Sequence, residues 1–519
     1  MESELSEQFH SLLYFPKGYA LHYPGYVLAL QKAPREQVNL SKGQLPGFLQ
    51  HARYFDAQHP RPGVNLGTKE TLARIANDPK VMFVSHVARF APTLQAAYPQ
   101  LDSCLLYNAF QSPEVQRRIQ LSPDDAIKRD AWLDPQGGLA WNACPQALAW
   151  GHGTGQLPPD EFVANGEPVV NGLAQQVAHD LRTQRYSHVL VIIMGWHTQQ
   201  DEAMRNFNDI AGNLVQAGQE SAKARRANCG SGCMPFRPLV IGITWPSRWA
   251  TPLGDVFSYL NKTADADEVG AGWVNLLVNQ ALPRAMAAQG VADVPIVMVG
   301  HSLGARAISS AIAMSPALKP APGQPEHEGL HSPVRLAVLL QGAFSMNRFA
   351  PDDQSSWEGA PLRDFQLLPN TRFVLTASQA DKATGGRLGP DWWTQMTGSM
   401  QSYQQACHAG AERDAASSWH GQAFHCLTAS DNSGREQPLS GSAPWSGFRL
   451  CDNENNQSCQ GMGGRWVFAD RRVLYVDASQ GVIHYNSLGS GGNGHSDIYR
   501  ISTGRLLWTL IDALAPAPR

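Results

Sequence analysis

The chain has 519 residues, 43% hydrophobic and only 16% charged, with 41 Lys+Arg against 44 Asp+Glu and a net charge of -3 at pH 7. That length predicts two to four domains, or one large domain with an extension, and the composition excludes a coiled coil, a collagen-like chain and a wholly disordered one. The near-balance of charge, without a Lys/Arg run, argues against nucleic acid as a partner. No segment approaches the roughly 18–20 uninterrupted apolar residues of a membrane span, so at most peripheral contact with a membrane is expected, and no integral segment.

Residues 1–180 show no steady hydrophobic period. The opening stretch has no basic region followed by an apolar one, so no signal peptide is expected in it. Short helices are predicted at 69–77 and 113–119, and the whole segment reads as an N-terminal extension packed on a main domain spanning 181–519.

From about residue 186 the pattern changes. Six apolar runs follow: HVLVIIM (188–194), PLVIGITW (238–245), PIVMVG (295–300), PVRLAVLLQG (333–342), RFVLTAS (372–378) and RRVLYVDAS (471–479). Continuous runs of this length, alternating with helical stretches at 271–289 and 303–315, predict buried strands of a mostly parallel sheet with helices on both faces, an α/β fold. A block at 385–465 interrupts the rhythm between the fifth and sixth runs. It carries Trp392, Trp393, Trp419 and Trp445 and reads either as a lid-like insertion, an aromatic wall over a substrate, or as a structural unit with its own small core.

The chain has eight cysteines, an even number. Six of them, Cys229, Cys233, Cys407, Cys426, Cys451 and Cys459, fall in stretches read as loops. Disulfides are one reading, which would suit a secreted or periplasmic protein; reduced thiols in a cytoplasmic one are the other. The three-residue spacing between Cys229 and Cys233 fits neither the usual redox motif nor a zinc site. Two further patterns mimic metal motifs. His327-Glu328-Gly329-Leu330-His331 matches the zinc-protease spacing, but Gly329 and the flanking prolines argue against the helix that chemistry requires. The run from Asp452 to Asn456 is similar to a calcium loop but has Gln457 where the turn glycine belongs. No metal and no cofactor is expected.

The strongest chemical signal is Gly300-His301-Ser302-Leu303-Gly304, directly between a strand and a helix. A serine between two glycines at these offsets suits a turn tight enough to push its hydroxyl into the open. In this the chain resembles the α/β-hydrolase superfamily over roughly residues 186–510. The resemblance implies a serine nucleophile, a carboxylate and a histidine base in that chain order, because a neutral hydroxyl needs an imidazole to take its proton and the imidazole needs a carboxylate to hold its tautomer.

Ser302 is then the nucleophile and Asp381, in the loop after the fifth run, the acid, with Asp431 and Asp477 as competitors. His495, in a glycine-rich loop, is the base, with His484 as the rival; His301 reads as structural. The same resemblance places oxyanion donors at the backbone N–H groups of Leu303 and Trp196. In the second of these loops many relatives carry His-Gly where this chain has Met194-Gly195. Trp245 reads as wall or core. The implied activity is hydrolysis of a carboxylic ester, of a small molecule or of a lipid or phospholipid, through an acyl-enzyme. An acyltransferase with the same triad, or a binding protein with a vestigial one, are the alternatives.

Overall fold

The computed structural model describes residues 20–34, 80–91, 103–108, 144, 160–198, 200–229, 236–247, 262–315, 318, 333–351, 360–384, 400–408, 418–433, 447–454, 458–461, 468, 470–485 and 494–518. Among these residues twelve strands are seen: β1 (Gly25–Pro34), β2 (Lys80–Phe90), β3 (Ser103–Asn108), β4 (His188–Ile193), β5 (Pro238–Thr244), β6 (Ile296–His301), β7 (Val334–Leu340), β8 (Arg372–Ala377), β9 (Phe424–Asp431), β10 (Phe448–Asp452), β11 (Cys459–Gln460) and β12 (Val473–Gln480). They form one sheet in the order β11-β10-β9-β12-β8-β7-β6-β4-β5-β1-β2-β3. Every pairing from β1 across to β9 is parallel, and those outside it at either edge are antiparallel. The chain is therefore of the α/β class, with a mixed, mostly parallel open sheet.

The six apolar runs form one contiguous block, β5-β4-β6-β7-β8-β12. They read as unbroken runs because both faces of each strand are covered. In β4, Val189, Val191 and Ile193 point into one core and Leu190 and Ile192 into the other. The first core is closed by α1 (Asp160–Gln184), by α3 (Leu282–Ala288) with the two π-helical turns Gly270–Val274 and Leu276–Ala281 before it, and by α4 (Leu303–Ala313). The second is closed by α2 (Gln200–Cys229) and α7 (Ile501–Leu514), whose Phe207, Ile210, Leu506 and Leu510 are all buried in it.

The first 110 residues supply three strands of this same sheet. Their interior includes charge: Lys32 on β1 is buried and paired with Asp265, while Lys262 reaches the same carboxylate at 2.8 Å. Glu268 accepts the Met82 backbone N–H at 2.7 Å. The described part of the 385–465 block extends the other end of the sheet as β9, β10 and β11, together with α5 (Met400–His408) and α6 (Trp419–Ala423). Trp419 stacks on His420 at 3.8 Å, while Trp392, Trp393 and Trp445 lie outside the described residues, as do the segments 69–77, 113–119 and 327–331.

Among the described residues three disulfides are formed, Cys104–Cys144, Cys407–Cys426 and Cys451–Cys459. The loop reading of these cysteines needs correction. Cys426, Cys451 and Cys459 lie on strands and Cys407 on α5, so the bridges tie regular elements together. Among the described residues no helix is long and apolar enough to cross a membrane.

Candidate active site

Strand β6 ends at His301 and α4 begins at Leu303, leaving a single residue, Ser302, to make the turn. Its backbone sits at φ 54°, ψ -119°, a conformation that costs a residue with a β-carbon about 1–3 kcal/mol. The turn is clamped on both sides. The Ser302 N–H donates to the Leu340 carbonyl at 3.0 Å, and its own carbonyl accepts from Ala343 at 3.1 Å. The flanking glycines are required by space: a β-carbon on Gly304 would lie 2.1 Å from the Ile193 carbonyl oxygen, and one on Gly300 2.7 Å from the backbone of Ala305.

The chain runs from β4 outward to β5 and then returns to the other side of β4 as β6, so the sheet changes direction between β4 and β6. Crevices at such switch points, outside the carboxyl ends of the strands, are where open α/β sheets bind ligands. The loop after β4 meets the serine turn there. A β-carbon on Gly195 would stand 2.6 Å from the Ser302 β-carbon, so only glycine lets the two loops touch. That loop is fixed from the β5 side: the Trp245 indole donates to the Met194 carbonyl at 3.0 Å, the His197 N–H to the Ser247 carbonyl at 3.0 Å, and the Ser247 hydroxyl to the Thr198 carbonyl at 2.8 Å. Trp245 is thus core, and it also braces the loop that carries Trp196. Leu303 supplies the first N–H of α4, one of those for which a helix has no internal acceptor.

Asp381 lies in the loop after β8, and His495 in the short 3-10 turn Gly494–Ser496 before α7. The structure brings these two together, with His495 Nδ1 2.9 Å from Asp381 Oδ2. The Gly494 N–H donates to the Ala380 carbonyl at 2.9 Å, holding one loop against the other. Burial works to raise the Asp381 carboxyl, but the adjacent His495 and the hydroxyl and amide of Thr384 outweigh it, and its pKa is lowered to about 2.

The His301 ring donates from Nε2 to the His495 carbonyl, 2.9 Å away, since a carbonyl only accepts. Burial, aided by His495, lowers the His301 pKa to about 3, so the ring is neutral and carries the proton on Nε2.

The rival carboxylates have partners of their own. Asp431 pairs with Arg505 at 3.0 Å and with the Ser433 N–H at 3.0 Å, and Asp477 accepts from the Ser479 N–H at 2.9 Å. His484 is exposed, its backbone N–H donating to Asp497 at 2.8 Å. In the segment similar to a calcium loop, Asp452 lies 3.1 Å from the His425 ring and Glu454 2.8 Å from the Arg472 guanidinium.

Two side chains that hold the Asp381 carboxylate were missed in the sequence. Gln341, just after β7, donates from Nε2 to Asp381 Oδ2 at 2.8 Å. Thr384 donates its N–H to Oδ1 at 3.0 Å and its hydroxyl to Oδ2. A Thr three residues after an Asp is a local turn signal that could have been read; nothing in the sequence near Gln341 marks it.

No protein-family model and no curated protein matches the chain. Among solved structures, phospholipase PlaB from Legionella pneumophila in complex with thio-NAD is similar at 11% identity with a TM-score of 0.20, over 62% of this chain and 61% of that one. The chain thus spans less than two thirds of that protein's length.

Proposed function

We propose that the protein is a serine hydrolase of the α/β-hydrolase fold that cleaves carboxylic esters through an acyl-enzyme on Ser302. The observation that carries this reading is the His495–Asp381 hydrogen bond, 2.9 Å long, formed at the same sheet edge as a serine held in a strained strand-to-helix turn. Nucleophile, acid and base follow β6, β8 and β12, three strands separated in the sheet only by β7. Their chain order is the one the sequence resemblance implies.

In this mechanism Asp381 holds the proton of His495 on Nδ1, which leaves Nε2 as the basic atom. Nε2 takes the Ser302 proton as Oγ attacks the acyl carbon, then returns it to the leaving alkoxide, and the alcohol departs. Water repeats the sequence on the acyl-enzyme and releases the carboxylic acid. The N–H groups of Leu303 and Trp196 stabilise the oxyanion of each tetrahedral intermediate. Gly195 lets the loop that carries the second donor approach the serine closely. No step calls for a cofactor. The substrate is an ester of a small molecule or a lipid, and the three disulfides suit work in an oxidising compartment, secreted or periplasmic.

The test is a chain-length series of p-nitrophenyl esters with wild type and Ser302→Ala, alongside intact mass after fluorophosphonate treatment. Labelling and turnover by wild type alone are expected. A wild-type protein that neither labels nor turns over any ester would overturn the proposal.

A further inference from the structure

Gln341 is fully buried and has a φ of 47°, in the left-handed region that a glutamine rarely adopts. Its side chain is committed at both ends. Nε2 donates to Asp381 Oδ2 at 2.8 Å, and Oε1 accepts from the Thr376 hydroxyl at 2.9 Å. Its backbone N–H donates to the same hydroxyl oxygen at 3.0 Å. Its neighbours in the chain grip the serine turn: the Leu340 carbonyl accepts the Ser302 N–H, and the Ala343 N–H donates to the Ser302 carbonyl.

One short segment, residues 340–343, therefore holds the backbone of Ser302 and the carboxylate of Asp381 at once. Closing the β7 end of the sheet requires none of this. A strained backbone whose side chain is over-determined by its contacts points to a role at the site. We propose that Gln341 is a positioning residue, which sets the orientation of Asp381 relative to Ser302; the inference rests on the hydrolase reading above.

The chemistry of the amide gives a sharp test. A protonated glutamic acid offers one donor and one acceptor, the same pattern as the glutamine, whereas an ionised one offers only acceptors and sets a second negative charge against Asp381. The other titratable groups facing the Asp381 carboxylate are His495, from the turn before α7, and His301, from β6. Gln341→Glu should therefore work while its carboxyl is protonated and fail once it ionises. Gln341→Gly removes the amide but keeps the positive φ at no steric cost.

The experiment is the pH profile of kcat and KM on a soluble p-nitrophenyl ester for wild type, Gln341→Glu and Gln341→Gly, with Ser302→Ala and fluorophosphonate labelling as the reference. The expected result is a kcat for Gln341→Glu close to wild type at low pH, falling in an additional one-proton step as pH rises. For Gln341→Gly, kcat should be lower by about 10- to 100-fold at unchanged KM, with no such step. A merely structural glutamine would change thermal midpoint or folded yield without adding the proton step. A Gln341→Glu profile parallel to wild type, or a Gln341→Gly kcat equal to wild type, overturns the inference while the labelling of Ser302 leaves the hydrolase reading intact. Absence of labelling and turnover in the wild type overturns both.

Discussion

Replacement of Asp381 by Asn tests the site at its most constrained atom. The carboxylate accepts from His495 Nδ1, Gln341 Nε2 and the Thr384 hydroxyl at Oδ2, and from the Ala383 and Thr384 N–H groups at Oδ1. All five are donors, so an amide placed either way round sets its NH2 against donors. If the NH2 occupies the Oδ2 side, His495 must turn Nδ1 into an acceptor, which moves its proton to Nε2 and leaves no base for the serine. Loss of the working tautomer costs about four powers of ten in kcat, or roughly 5 kcal/mol of barrier.

The same substitution has a stability signature. The Asp381 pKa is lowered from 3.8 to about 2 in the folded protein, and the side chain is buried, so the ionised form contributes about 2 kcal/mol to stability. Because the folded pKa lies below the unfolded one, that contribution is complete above pH 3.8 and is lost as pH falls toward 2. Burst-phase and steady-state kinetics on a p-nitrophenyl ester measure the first effect, and urea midpoints for both proteins at several acid pH values the second. A kcat for Asp381→Asn within tenfold of wild type would refute the assignment of the acid.

Other outcomes follow from the same geometry. Gly195→Ala puts a β-carbon 2.6 Å from that of Ser302, and the loop must retreat; kcat should fall about 100-fold with the circular-dichroism spectrum unchanged, and an unaltered kcat would show that this loop does not serve the oxyanion. Burial lowers the pKa of His86 to about 3, of His188 to about 4 and of His301 to about 3, each from 6.5. Their neutral forms stabilise the fold fully above pH 6.5, and each costs about 1.4 kcal/mol per pH unit as the pH falls from there toward its folded value. Urea midpoints should drop steeply from pH 6.5 to 4.5, and a flat profile would contradict these burials. Replacing Cys104 and Cys144 together by Ser opens a loop of 40 residues and should cost about 4 kcal/mol, read from urea unfolding under non-reducing conditions. A loss under 1 kcal/mol would mean that β3 is held by its strand pairing alone.

How far the sequence could be read depended on where each element finds its partners. The six central strands were legible because covering both faces demands nothing but apolar residues, and a run such as Val189 to Ile193 advertises that. Strands β1 to β3 were not. Lys32 and His86 are polar residues inside β1 and β2, and Lys32 is tolerated in the interior only because Asp265 arrives from a helix more than 200 residues later. No local window contains that information. The strands β9 to β11 were masked by their cysteines, which read as loop staples until the pairing of Cys451 with Cys459 across β10 and β11 was seen. At the site, Ser302, Asp381 and His495 could be named because each follows an apolar strand or sits in a glycine-rich loop. Gln341 could not, since its task is set by a carboxylate 40 residues away and by a backbone angle that glutamine does not announce.

The place of β12 has a consequence for biosynthesis. It lies between β8 and β9, and it alone joins β9, β10 and β11 to the rest of the sheet. On the ribosome those three strands are made first and have no slot to enter. Only when Val473 to Gln480 emerges can the sheet reach across to them, and His495 follows 15 residues behind. A chain that stops short of β12 lacks His495 and also leaves β8 as an open parallel edge, a template for association with other chains. Premature termination should therefore yield insoluble protein with no esterase activity, and never a soluble enzyme of reduced rate.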